Sequence, residues 1–105
     1  MPTQCDKLQV HTIHPAEIDG DAVWDGAFGT CESETAAGFI LQYARMTGGW
    51  TPFTARGLKR HAEESNAKVP YSLVSGLTDL TQRGFLELDE GYFRVNSAFI
   101  ERLCR

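Results

Sequence analysis

Cys5, His11, His14 and Cys31 are the side chains of this sequence best suited to hold a transition metal. Thiolate and imidazole are the donors zinc prefers. His11 and His14 stand three positions apart, while each cysteine stands alone. Zinc sites usually bring their ligands in tight pairs on both halves of the site. This spacing favours surface histidines and free or buried thiols, and we expect no metal.

Carboxylates are plentiful but poorly placed for acid–base work. Asp19, Asp21 and Asp25 are interleaved with Gly20 and Gly26, the pattern of turn formers. Asp19-Gly20-Asp21 lacks the further ligands and terminal glutamate of a calcium loop. The sequence has no glycine-rich phosphate loop and no nucleophile elbow. Ser72 and Ser75 have no histidine close in sequence, and His61 reads as an ordinary helix-surface or boundary residue. We therefore expect no catalytic residues, no cofactor and no enzyme activity.

The charge pattern is more telling. The net charge is −4, which is unpromising for a polyanion partner. Residues 1–34 carry seven acids against one base, whereas residues 35–85 carry six bases (Arg45, Arg56, Lys59, Arg60, Lys68, Arg83) against three acids. Local potential governs a contact within a Debye length of about 8–10 Å, so the middle of the chain can act as a basic surface. The 42% apolar fraction is ordinary for a globular domain, and no apolar run is long enough to span a membrane. An odd, scattered set of three cysteines with no secretory signal ahead of it leads us to expect reduced thiols and a cytoplasmic location.

The elements that must position these groups are legible from period and punctuation. Lys7–Ile13 alternates loosely and suggests a short strand, ended by His14-Pro15. Ile18, Val23, Trp24 and Phe28 are too apolar for a free tail, so part of this arm should pack on the rest. A first helix is expected from a Ser33 cap, with Glu34 in its first turn and Gly48-Gly49 at its end. Trp50–Phe53 should be extended, because Pro52 keeps Thr51 from helical angles. A second helix runs from a Thr54 cap to Ser65, with Leu58 and Ala62 inward and Arg56, Lys59 and Arg60 outward. Pro70 suits the first turn of a third helix that closes at Arg83-Gly84. Its spacing predicts Leu73, Val74, Leu77 and Leu80 on the buried face. Apolar residues on either side of Asp89-Glu90-Gly91 predict a hairpin, and Asn96 or Ser97 can cap a short last helix bearing Phe99, Ile100 and Leu103.

Helix, short strand, helix, turn, helix, hairpin is an order that resembles the winged helix-turn-helix superfamily over about residues 34–95. Leu58 and Ala62, then Val74, Leu77 and Leu80, then Gly84-Phe85-Leu86 carry the likeness. The resemblance implies an α+β winged helix-turn-helix, with a three-helix core and a small β-hairpin wing. An acidic N-terminal extension (1–33) would precede a domain at 34–105 that includes a short C-terminal helix. It also implies double-stranded DNA as partner and a small transcriptional or replication regulator as role. The third helix would enter the major groove, with Tyr71, Ser72 and Ser75 at bases or phosphates. Arg56, Lys59, Arg60 and Lys68 would neutralise phosphates, with Arg94 the one base on the wing. A homodimer through the terminal helix would follow the same pattern.

Three features pull the other way. Gly76 replaces a basic residue common in DNA-binding relatives, Asp79 would face phosphate, and the wing tip Asp89-Glu90 is acidic. The alternative is a winged helix that contacts protein and never DNA, with Trp24, Trp50, Phe28 and Phe53 as either core or partner-binding aromatics.

Overall fold

The computed structural model describes residues 14–18, 28–65, 68–69 and 73–103. Among these, a single 3-10 turn (Pro15–Glu17) precedes helix α1 (Cys31–Thr47). Helices α2 (Ala55–Glu64) and α3 (Leu73–Gln82) follow. Strands β1 (Leu86–Asp89) and β2 (Tyr92–Val95) and helix α4 (Ser97–Leu103) complete the order. The architecture of the described residues is α+β: four helices and one two-stranded antiparallel hairpin. The strand suggested at Lys7–Ile13 lies outside the described residues.

Helix α1 starts earlier than its sequence suggests. Its cap is Thr30, whose hydroxyl accepts the Ser33 N–H at 3.1 Å. Ser33 is instead a fully buried residue of the first turn. Thr30 and Ser33 are both good caps by type; the choice falls to Thr30 because the Ser33 hydroxyl is engaged elsewhere in the fold. At the other end Gly48 takes a left-handed conformation (φ 84°) and its N–H reaches the Ala44 carbonyl at 2.9 Å.

Thr54 caps α2 as its position implies, accepting the Gly57 N–H at 2.9 Å. The link before it does more than connect. Phe53 and Phe93 exchange two backbone hydrogen bonds, of 3.0 and 2.7 Å, so one residue of the link extends the hairpin as a third strand would. Their rings stack at 5.7 Å. This bridge fixes the hairpin against the start of α2.

The buried side of α3 is Leu73, Gly76, Leu77 and Leu80. Val74 is not on it: this residue is 58% exposed, contrary to the face expected from apolar spacing. The reason is Gly76. A Cβ there would lie 2.2 Å from the Glu32 carbonyl oxygen and 2.9 Å from the Ala36 Cβ, so only glycine permits the approach of α3 to α1. Turning Gly76 into the buried face turns Val74 out of it, since successive residues are about 100° apart and these two lie nearly opposite one another around the axis. Gly76 is thus a packing residue, not a position vacated on an outer face.

The hairpin pairs Leu86 with Val95, Glu87 with Arg94, Leu88 with Phe93 and Asp89 with Tyr92. Asp89 belongs to the strand, and the turn is the two residues Glu90 and Gly91. Both have positive φ (51° and 84°), the requirement of a tight twisted hairpin. Beyond β2, the Asn96 side chain caps α4 by accepting the Phe99 N–H at 3.2 Å, and its amide donates to the Gly84 carbonyl at 2.6 Å.

The core joins all of these elements. Phe28 is fully buried, stacked on Phe99 at 5.0 Å and edge-on to Phe85 at 5.1 Å. Ile18 and Pro15 are also buried, held by the Arg45 guanidinium, which donates to the carbonyls of Pro15 and Ile18. Phe53 is core, Trp50 packs half-buried against it, and Trp24 lies outside the described residues. Phe99, Ile100 and Leu103 are buried within the chain, so α4 directs its apolar side into its own core and these three residues are not available to a two-fold interface.

Candidate nucleic-acid interface

Helix α3 shows solvent a short neutral face. Val74, Ser75, Thr78 and Gln82 are exposed, and they follow one another along the side opposite Leu73, Gly76, Leu77 and Leu80. Sequence spacing places Ser75, Thr78 and Gln82 outward. It misses Val74, although a glycine among apolar helix positions was the available sign that the buried stripe is centred elsewhere.

Asp79 does not belong to that face. Its carboxylate accepts a hydrogen bond from the buried Ser33 hydroxyl of α1 and pairs with Arg83 at 3.4 Å. Arg83 in turn donates to the Phe28 carbonyl. The acid that would oppose phosphate is therefore engaged on the α1 flank of the helix. A hydroxyl with no exposed surface needs an acceptor, and Asp79 supplies it.

Arg56, Lys59 and Arg60 are all exposed on α2, and Lys68 is exposed in the link to α3. The ion pairs among the described residues are Arg83 with Asp79 and Arg94 with Asp89, so none of these four cations is ion-paired to a described carboxylate. Glu63 and Glu64, also exposed on α2, offset part of that charge near the end of the helix. Tyr71 and Ser72 lie outside the described residues.

The hairpin has a different character. Arg94 sits 3.5 Å from Asp89, and a shallow depression is lined by Pro52, Asp89, Glu90, Tyr92 and Arg94. Leu88 and Tyr92 are more than half exposed. The one hairpin base is thus locally compensated on an acidic surface.

Of the metal-capable residues, His14 uses Nδ1 to accept the Ala16 N–H at 3.0 Å, a cap on the 3-10 turn. Cys31 is an exposed free thiol at the start of α1, and Cys5 and His11 lie outside the described residues. No group of three possible metal ligands occurs among the described residues. His61 stands edge-on to Tyr43 at 5.2 Å, half-buried, with Nε2 lacking a hydrogen-bond partner among the described residues. No helix among the described residues is long and apolar enough to cross a membrane.

Family models, curated proteins and solved structures provide no match to this chain.

Proposed function

We propose that this chain is a winged helix-turn-helix protein that binds double-stranded DNA through α3, as a small transcriptional or replication regulator rather than an enzyme. The observation that carries the reading is the exposed, uncharged face of α3 (Val74, Ser75, Thr78) preceded in the chain by four exposed cations that form no ion pair among the described residues. Hydroxyls of Ser75 and Thr78 can donate to or accept from base edges, and the cations supply phosphate neutralisation. The Asp79 contact with Ser33 supports the reading, because it holds that carboxylate against α1. The Phe53–Phe93 bridge supports the winged-helix reading, because it joins the link before α2 to the hairpin.

The test is a fluorescence-anisotropy titration of generic duplex DNA at low and moderate salt. If all four cations meet phosphates, log Kd should change with log salt with a slope magnitude of about 3.6. Absence of binding at low salt rejects the reading.

A second reading draws on the hairpin. Its acidic residues and the exposed Leu88 and Tyr92 suit a protein partner better than a phosphate backbone. It gains if duplex DNA fails to bind, and the DNA-binding reading gains if the salt slope appears.

A further inference from the structure

We infer that Val74 is a specificity-determining residue whose target is the 5-methyl group of a pyrimidine in the major groove. This rests on the DNA-binding reading and adds to it the kind of base edge recognised.

Val74 lies in the first turn of the described α3 and is 58% exposed, although it is flanked in sequence by Leu73 and followed by the buried Leu77 and Leu80. Its position outside is enforced, because Gly76 must face the Glu32 carbonyl. The early turns of a helix docked in the major groove are those that reach base edges. There an apolar side chain has one partner chemistry that it can recognise positively, the pyrimidine 5-methyl.

The neighbouring residues narrow the choice. Ser75 and Thr78 are the other exposed residues of these turns among those described, and hydroxyls discriminate weakly because they both donate and accept. Arginine, lysine and asparagine, which make the bidentate purine contacts, are absent from the described residues of α3. Gln82 is the last residue of the helix, far from the end that reads. Among the described residues of α3, the apolar contact of Val74 is therefore the strongest discriminator on this face. Covering one methyl group corresponds to about a fourfold change in affinity.

Two bases carry that methyl, thymine and 5-methylcytosine, and the test separates them. The full chain is used to select tight-binding duplexes from a randomised pool made with thymine. The selected duplex is then titrated in three forms: unmodified, with uracil in place of thymine, and with 5-methylcytosine in place of cytosine. Affinity should fall about fourfold or more on the uracil duplex. Val74→Ala should bind the thymine and uracil duplexes equally while keeping the wild-type melting temperature, since it removes an exposed side chain. Indifference to uracil but a gain on 5-methylcytosine that is lost in Val74→Ala assigns the second source. Equal binding of all three forms, or a uracil effect that persists in Val74→Ala, overturns the inference and leaves DNA binding intact. Failure of the pool to enrich while generic duplex still binds overturns this inference alone, and absence of binding to generic duplex at low salt overturns the DNA-binding reading and this inference with it.

Discussion

Gly76 of α3 meets Glu32 of α1 so closely that a Cβ at position 76 would stand 2.2 Å from the Glu32 carbonyl oxygen. The obstacle is backbone, which cannot rotate aside. Gly76→Ala should therefore destabilise the fold, although alanine favours a helix interior by about 1 kcal/mol over glycine. Overpacking of this kind typically costs about 1–3 kcal/mol, and a backbone clash belongs at the upper end. Urea denaturation of the variant should show a lower midpoint with an unchanged m-value. A midpoint at or above wild type would mean that α1 and α3 do not approach this closely.

The same contact explains what was and was not legible in the sequence. Caps and turns at Gly48, Thr54, Glu90-Gly91 and Asn96 depend on residues within a few positions, and their chemistry is visible in a linear reading. The rotation of α3 depends on a residue of α1, more than forty positions away. Apolar spacing alone cannot choose between Leu73-Val74 and Leu73-Gly76 as the centre of the buried stripe. The Phe53–Phe93 bridge is non-local in the same way. Ser33 failed as the cap for a related reason: its hydroxyl answers to Asp79, a distant partner. At the candidate site, outward Ser75, Arg56, Lys59 and Arg60 were legible because amphipathic period places them, whereas Val74 and the direction of Asp79 were not.

Asp79 links Ser33, Arg83 and, through Arg83, the Phe28 carbonyl. Asp79→Ala would strand the buried Ser33 hydroxyl and release Arg83. A buried polar group left unpaired costs about 1–3 kcal/mol, whereas the partly exposed Arg83 pair contributes about 1 kcal/mol at most. Most of the loss should therefore come from Ser33. A double-mutant cycle of Ser33→Ala and Asp79→Ala by chemical denaturation should show a coupling of about 0.5–3 kcal/mol. Strict additivity would remove Asp79 from the interior role assigned to it.

Phe28 precedes α1 in sequence yet occupies the centre of the core between Phe85 and Phe99. Phe28→Ala should cost about 3–5 kcal/mol, the usual loss for a buried phenylalanine. A chain beginning at residue 34 lacks both Phe28 and the Thr30 cap, so it should lose its cooperative thermal transition. A chain beginning at residue 28 retains both and should melt cooperatively. Comparable transitions in the two truncations would show that the core closes without Phe28.

Lys59 and Arg60 are adjacent, exposed and unpaired with any described carboxylate, so each can meet one phosphate without first breaking an ion pair. Each such contact contributes about 0.9 to the dependence of log affinity on log salt. The Lys59→Ala, Arg60→Ala double variant should therefore reduce the slope by about 1.8 and weaken binding equally on unrelated duplexes. Its melting temperature should stay close to wild type, because both side chains project from the outer side of α2 while Leu58 and Ala62 pack within. Base selectivity should also be unchanged if, as proposed, α3 carries the discriminating side chains, since phosphate contacts set position only. An unaltered slope would mean that the phosphates meet some other surface, and would detach the α2 cations from the site even if duplex DNA binds.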